Sequence, residues 1–251
     1  MTPSPSHVLI VGASRGIGLA LVEALLARPT TQHLYAAARG ATRSDALAAL
    51  AATAAGRLTL IDVDVGEESS IEACVHTVQA TTQQLDWVIN TVGLLHDSDG
   101  MMPERRLGEV TASNILKSMT VNCVGPVLLA KHVAGLLPRA TPCVVATLSA
   151  RVGSIEDNRL GGWYAYRASK AAQNMLTKNL AIELKRRHKA IRCVALHPGT
   201  VDTDLSAPFS ANSKTLFSAR TAAGHLLNVL DNLNDDDNGK FFAWDGQTIA
   251  W

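Results

Sequence analysis

The stretch His7-Val8-Leu9-Ile10-Val11-Gly12-Ala13-Ser14-Arg15-Gly16-Ile17-Gly18 decides how this chain folds. Its first five residues form a continuous run dominated by apolar side chains, which predicts a buried strand, and a helical pattern follows the last glycine. Glycines in the turn between them let backbone N–H groups approach a phosphate closely, and a helix N-terminus adds partial positive charge. A strand, a glycine-rich turn and a helix in this order therefore predict a site for a dinucleotide pyrophosphate.

The alternation of apolar runs with helical patterns continues along all 251 residues. Strands that are apolar on both faces and alternate with helices form parallel sheets covered on both sides. We therefore predict one α/β domain over residues 1–251, of the Rossmann type, doubly wound, with a seven-stranded parallel sheet flanked by helices on both faces. The predicted strands span 7–11, 34–38, 58–63, 86–91, 142–148, 191–196 and 241–244, and the helices after the first span about 44–55, 67–82, 111–137, 162–188 and 217–233. Residues 1–6 are expected to form a short flexible tail.

Composition argues against several classes of function. Lys plus Arg total 23 and Asp plus Glu total 22, and the net charge of +1 gives no basic surface for nucleic acid or an anionic membrane. No apolar run approaches the ~20 residues of a membrane span, and the N-terminus is unlike a secretory signal. We expect a cytoplasmic protein without nucleic-acid or membrane partners. No metal site is expected, because the four cysteines lie far apart and outside metal-ligand spacing: Cys74, Cys123, Cys143 and Cys193.

Four motifs occur in a fixed order between residue 8 and about residue 205. They are Gly12-x-x-x-Gly16-x-Gly18, Asn90-Thr91-Val92-Gly93, Tyr166-Arg167-Ala168-Ser169-Lys170 and Pro198-Gly199. Together they resemble the classical short-chain dehydrogenase/reductase family. The stretches 161–166 and 239–242 resemble a narrower subgroup, which includes sniffer-type carbonyl reductases and bacterial C-factor proteins.

The resemblance implies a nicotinamide cofactor, and the residues near its adenosine ribose favour NADP(H). NAD selectivity usually needs a carboxylate at the end of the second strand, where this chain has Ala38 followed by Arg39. Arg15 in the glycine turn is a second guanidinium that suits a 2′-phosphate. Asp64-Val65 resembles the family's adenine-binding element, with Asp62-Val63 as a competing register. The cofactor-binding residues implied are Gly12, Ser14, Arg15, Gly16, Ile17, Gly18, Arg39, Asp64, Val65, Asn90, Val92, Gly93, Tyr166, Lys170, Pro198, Gly199, Val201 and Thr203.

Tyr166 and Lys170 are four residues apart on a predicted helix and therefore share one face. A nearby ammonium and a bound cationic nicotinamide are expected to lower the pKa of the phenol. The resemblance makes Tyr166 the general acid and Lys170 its partner, which also holds the nicotinamide ribose. Asn122 matches the family's active-site Asn. Because Pro126 has no N–H to donate to the Asn122 carbonyl, we expect a water there that links Asn122 to Lys170.

The catalytic serine of the family lies three residues before a glycine, and here that position is Ala150. Ser149 is one residue early, and one residue along a strand reverses the face. Three interpretations stay open: Ser149 serves because a bulge or twist restores its direction, Ser154 serves, or no serine serves. Ser149 is the preferred candidate.

The resemblance implies an NADPH-dependent oxidoreductase that reduces the carbonyl of an aldehyde, ketone or quinone to an alcohol. The C-factor likeness raises an alternative, a dinucleotide-binding signalling or regulatory protein with incidental turnover. Homodimers, homotetramers and monomers all occur in the family. Loops 94–107, 154–162 and 206–219 are expected to line the site of a partly apolar small-molecule substrate, the last as a substrate loop, with these side chains: Leu95, His96, Met101, Met102, Trp163, Phe209 and Phe217.

Overall fold

The computed structural model describes residues 4–209 and 215–251 and contains one seven-stranded sheet of order β3-β2-β1-β4-β5-β6-β7. Every neighbouring pair of strands is parallel. The predicted fold is confirmed, and no strand end differs from the predicted one by more than one residue. The strands are β1 His7–Val11, β2 His33–Ala38, β3 Leu58–Asp62, β4 Trp87–Asn90, β5 Cys143–Leu148, β6 Ile191–His197 and β7 Phe241–Ala243.

Helices cover both faces of the sheet because its strands are apolar on both sides. Along β1, Val8 and Ile10 pack into one buried cluster with residues of the first, second and last helices. Leu9 and Val11 point the other way, into a cluster with the third, fifth and sixth helices. Each fully buried aliphatic side chain contributes about 1.5–3 kcal/mol. The helices are α1 Gly16–Leu26, α2 Asp45–Thr53, α3 Glu68–Gln79, α4 Ala112–Met119, α5 Gly125–Val133, α6 Tyr164–Leu184 and α7 Ala219–Asp231.

The long helix predicted over 111–137 is divided in the structure. A π-helical turn, Thr120–Val124, joins α4 to α5, and Pro126 is the second residue of α5. Pro126 cannot donate the backbone hydrogen bond that an unbroken α-helix would make to the carbonyl of Asn122, so the turn widens there. The π-helical turn therefore places Asn122 at an irregular point of the helix.

The segment Ala112–Leu136 is long and apolar enough on average to cross a membrane, although the sequence showed no continuous apolar run of that length. This is weak evidence for a span, since core helices of other proteins meet the same criterion. Here Leu129, Val133 and Leu136 pack into the buried cluster beneath the sheet. The apolar composition of the segment thus has a structural explanation within the fold.

The position of the ligand-binding cleft follows from the strand order. The chain reverses direction across the sheet between β1 and β4, and ligands of such sheets bind outside the carboxyl ends of the strands at this point. The loops after β1, β4, β5 and β6 meet there. Residues 1–3 of the expected tail and 210–214 of the expected substrate loop lie outside the described residues.

Candidate active site

The turn after β1 is shaped by atoms that approach too closely for any side chain. Gly12 has a φ of +91°, and a Cβ there would lie 2.4 Å from Thr91 Oγ1. A Cβ on Gly18 would lie 2.0 Å from the Gly12 carbonyl oxygen. The first turn of α1 is thus pressed against the end of β1, and its free N–H groups face the cleft at the helix N-terminus.

The loops after β4 and β6 complete the walls of this cleft. A Cβ on Gly16 would lie 3.2 Å from Thr203 Cγ2, so the glycine turn meets the loop after β6. A Cβ on Gly93 would lie 3.7 Å from Lys170 Nζ and 3.9 Å from Asn122 Oδ1. The glycine at 93 therefore keeps open the space directly in front of the lysine. A nicotinamide dinucleotide fits these residues, with backbone N–H groups for its pyrophosphate and an ammonium for its ribose.

The remaining residues implied as cofactor contacts lie along the same edge of the sheet. Ala38 is buried and ends β2, and Arg39 after it is exposed. Arg15 Nη1 lies 2.7 Å from Asp204 Oδ2, and the two side chains are 72% and 75% exposed. This ion pair links the loop after β1 to the loop after β6.

The two aspartates near the end of β3 differ in their partners. Asp62 accepts hydrogen bonds from the backbone N–H and the hydroxyl of Thr42, and these bonds lower the pKa of its carboxyl. Asp64 Oδ1 accepts the Gly66 N–H within its own turn at 2.9 Å. Asp62 is thus already engaged with a neighbouring turn, so Asp64 remains the preferred candidate for the adenine.

Tyr166 and Lys170 lie one helical turn apart on α6 and are buried at the cleft. The lysine Nζ lies 5.8 Å from the centre of the tyrosine ring. Burial raises the pKa of Tyr166 and lowers the pKa of Lys170 to about 7. The sequence predicts that the neighbouring ammonium and a bound nicotinamide lower the pKa of Tyr166. In the protein alone burial raises that pKa instead, so the phenol keeps its proton at neutral pH.

Asn122 ties three elements together from the π-helical turn. Its Nδ2 donates to the Leu94 carbonyl at 2.8 Å and to Ser169 Oγ at 2.9 Å, and its Oδ1 accepts the Leu94 N–H. The Ser169 hydroxyl in turn donates to the Tyr166 carbonyl. Asn122 thus holds the loop after β4 against the first turns of α6. The water expected at its backbone carbonyl stays a prediction.

The two candidate serines are both hydrogen-bonded away from Tyr166. Ser149 follows β5 and its hydroxyl donates to Asn174 Oδ1 at 2.7 Å. Asn174 lies about 12 Å along the axis of α6 from Tyr166, given ~1.5 Å per residue. Ser154 Oγ accepts the Asp157 N–H and lies 3.4 Å from the Trp251 carbonyl oxygen. The three interpretations of the serine stay open.

The start of α6 is an irregular turn held by a buried carboxylate. Gly161, Gly162 and Trp163 have φ values of 63°, 63° and 51°. Glu104 is 2% exposed, and its Oε2 accepts the Ala165 N–H of the first helical turn. A carboxylate near a helix N-terminus is stabilised there. Glu104 thereby fixes where α6 begins and how Tyr166 enters the cleft.

Aromatic side chains form a wall next to Tyr166, and they include several of the residues that the sequence predicts to line the substrate site. The Trp163 ring lies edge-on to Tyr166 and Phe209, at 6.2 Å and 5.2 Å between centroids, and Phe209 also contacts His96. Leu95 and Met101 are buried, and Met102 is half exposed. Phe217 lies away from this wall. It packs under Gly199 against the rings of His225 in α7 and of Trp244, the residue after β7.

Some polar side chains of the site belong to no motif of the sequence, among them Glu104, Gln173 and Asn174. Helical spacing could have indicated Gln173 and Asn174, because they lie three and four residues after Lys170 and so on the same buried side of the helix. Glu104 had no such signal, since it reaches α6 from a loop about 60 residues earlier.

Comparisons with known proteins agree with this geometry. The sequence model described as short chain dehydrogenase matches residues 6–214. The 1-hydroxy-2-glutathionyl-2-methyl-3-butene dehydrogenase of Rhodococcus sp. (strain AD45) is 30% identical over 246 residues, covering 98% of this chain and 100% of that protein. The carbonyl reductase Sniffer of D. melanogaster superposes with a TM-score of 0.87, at 30% identity, covering 98% of this chain and 99% of that chain. The NADPH-bound carbonyl reductase from chicken fatty liver gives a TM-score of 0.86, with the same identity and coverage.

Proposed function

This chain belongs to the short chain dehydrogenase family, and on that premise we propose that it reduces a small carbonyl compound to an alcohol with NADPH. The observation that carries the proposal is the buried pair of Tyr166 and Lys170 facing the glycine-lined cleft. The Sniffer and chicken carbonyl reductases, which share its fold along nearly the whole chain, support the choice of reaction.

NADP(H) is the cofactor of this proposal. The chicken enzyme was crystallised with NADPH, and the end of β2 in this chain offers Arg39 and no carboxylate. A guanidinium binds a phosphate through charge-assisted hydrogen bonds, whereas a carboxylate there would repel it. Arg15 in the glycine turn is the second guanidinium of this proposal, and its present partner is Asp204.

When bound, the reduced nicotinamide supplies the hydride that forms the new C–H bond at the carbonyl carbon. Tyr166 donates its phenolic proton to the carbonyl oxygen, and the raised pKa of the buried phenol keeps that proton in place beforehand. The resulting phenolate is stabilised by the ammonium of Lys170 one turn away. Lys170, whose pKa lies at about 7, can release and regain a proton at neutral pH.

Asn122 supports this exchange from the π-helical turn, and the expected water at its carbonyl would carry the proton from Lys170 outward. Trp163 and Phe209 give the substrate side an aromatic wall, which suits an aldehyde, ketone or quinone with an apolar part. Ser149 enters only as a candidate second donor to the oxygen.

Replacement of the acid tests the proposal. We expect Tyr166→Phe to lower kcat for NADPH-dependent carbonyl reduction about 10²–10⁴-fold, the usual range for a general acid, with a far smaller change in NADPH binding measured by fluorescence. Tyr164→Phe is the matched control, since Tyr164 lies two residues earlier and is 39% exposed. It should retain full activity.

Two outcomes would contradict the proposal. One is a loss below tenfold in Tyr166→Phe. The other is wild-type protein that binds NADPH but turns over no aldehyde, ketone or quinone of a broad panel, which would support the alternative of a dinucleotide-binding signalling protein.

A further inference from the structure

The ammonium of Lys170 is held from behind by a side chain outside the family motifs. Lys170 is 2% exposed, and its Nζ donates to the Leu148 carbonyl at 2.8 Å and to Gln173 Oε1 at 2.9 Å. Gln173 is 1% exposed. These two bonds use two of the three N–H donors of the ammonium, and the third is left for the cleft.

The chemistry of the partners fixes the orientation of the Gln173 amide. Lysine can only donate, so the amide oxygen must face Lys170 and the NH₂ group must face the other way. That NH₂ group donates to Thr147 Oγ1, which also accepts from Asn90 Nδ2 at 3.2 Å. Asn90 Oδ1 accepts the Val92 N–H at 3.4 Å. A continuous series of side-chain hydrogen bonds therefore runs from the lysine to the loop after β4.

The surroundings of the ammonium make this acceptor important. The other titratable groups that face Lys170 are the phenol of Tyr166, on its own helix, and the thiol of Cys123, from the π-helical turn. From β5 it meets the Leu148 carbonyl, and from the loop after β4 it faces Gly93. In the described residues, no carboxylate hydrogen-bonds to it. A buried cation without a counter-ion depends on such neutral acceptors to remain charged.

We propose that Gln173 is a positioning residue that holds the Lys170 ammonium toward the cleft and sets the balance between its charged and neutral forms. Only the place of Lys170 in the reaction rests on the proposed function; the hold on the amine does not.

The amide of Gln173 stabilises the Lys170 ammonium more than an apolar side chain would and less than a carboxylate would. An apolar side chain would remove this acceptor and leave the ammonium with the Leu148 carbonyl, so the neutral form of the amine would become more populated. A carboxylate would form a buried ion pair and keep the lysine charged to higher pH. Because burial already brings the pKa of Lys170 to about 7, changes in either direction would alter its charge under neutral conditions.

Direct titration of the lysine tests the proposal in the full chain. Protein carrying ¹³Cε-lysine is followed by NMR against pH, and the Lys170 signal is assigned by its loss in Lys170→Met. We expect Gln173→Met to lower the ratio of ammonium to amine at a given pH about tenfold, since hydrogen bonds to charged groups are among the stronger ones. We expect Gln173→Glu to raise that ratio about tenfold or more.

A matched control lies one turn along the same buried face. Thr177 donates its hydroxyl to the Gln173 carbonyl and makes no bond to Lys170, so Thr177→Val should change the ratio less than twofold. Thr147→Val removes the acceptor of the Gln173 NH₂ group and should shift the titration in the direction of Gln173→Met by a smaller amount. If Gln173→Met does not fold, Thr147→Val provides the test in its place.

The same variants are then assayed for carbonyl reduction with NADPH. We expect kcat to fall as pH rises and the lysine loses its proton. This fall should begin at lower pH in Gln173→Met and at higher pH in Gln173→Glu, with KM for NADPH within about threefold of wild type. Titrations that stay in place, or that move in the same direction in both variants, overturn the proposal. If the titrations move oppositely but wild-type protein reduces no carbonyl, the proposed function fails and the role of Gln173 in holding the amine stands.

Discussion

The cofactor side and the catalytic side of the cleft are built by different means. On the cofactor side, Gly12 and Gly18 let backbone atoms meet at distances that no Cβ could occupy. On the catalytic side, buried polar side chains meet across the sheet–helix interface, as Ser149 meets Asn174 and Thr147 meets Gln173. Substitutions at these two glycines should therefore disrupt cofactor binding strongly, because no small adjustment relieves the clash. Substitutions on the second side should have graded effects.

The largest effect on cofactor affinity is expected from Gly18→Ala. The new Cβ would lie 2.0 Å from the Gly12 carbonyl oxygen, a clash with a backbone atom that no rotamer change can relieve. We expect NADPH affinity to fall about 100-fold or more, together with a lower Tm, since overpacking typically costs ~1–3 kcal/mol. Isothermal titration calorimetry and thermal unfolding measure both quantities.

Gly224→Ala is the control for this prediction. Gly224 is exposed within α7, and nothing lies within 4 Å of a Cβ placed there. Alanine should stabilise this helix by about 0.5–1 kcal/mol and leave NADPH binding unchanged. If Gly18→Ala bound NADPH as well as Gly224→Ala, the cofactor side would not depend on close backbone approach.

An intermediate effect is expected from Arg39→Ala. Loss of one exposed guanidinium should lower the ratio of kcat/KM for NADPH to that for NADH about tenfold, mainly through NADPH. Arg43→Ala, which removes the same charge four residues later, should change the ratio less than threefold. Equal effects of the two variants would indicate a diffuse positive potential rather than a 2′-phosphate contact.

The smallest effect is expected from Ser149→Ala. The hydroxyl is engaged by Asn174, two helical turns beyond Tyr166, so we expect kcat to fall less than tenfold and the free energy of unfolding to fall by about 1 kcal/mol. A parallel Ser154→Ala measures the alternative serine. A loss of kcat well above tenfold in Ser149→Ala, with unchanged stability, would instead establish it as the second donor that the sequence favours.

The fold could be predicted from the sequence because its signals are local. Strands such as β1 and β5 are short apolar runs bounded by turn residues, and the glycine turn encodes its own geometry. The bounds of these elements and the covered faces of the sheet follow from patterns within a few residues. The spacing of Tyr166 and Lys170 is equally local, since both lie on one face of α6.

The rest of the site depends on contacts between distant parts of the chain. The break in the helix at Thr120–Val124 had a sequence signal in Pro126, but its π-helical form depends on packing. Whether Ser149 faces Tyr166 or Asn174 depends on how the end of β5 meets α6. The role of Glu104 depends on a loop folding against a helix start about 60 residues away. No local pattern encodes these pairings.

The burial of Lys170 also has a thermodynamic consequence for the whole fold. In the unfolded chain the lysine has its ordinary pKa of 10.5, and in the folded protein its pKa is about 7. Between these two pH values the unfolded chain binds a proton that the native state lacks, so this residue makes the free energy of unfolding rise with pH across that window. Below pH 7 the amine is charged in both states and the native state bears the full cost of desolvating it. The residue proposed to exchange protons in the cleft thus also makes the folded protein more stable as the pH rises from about 7 to 10.5.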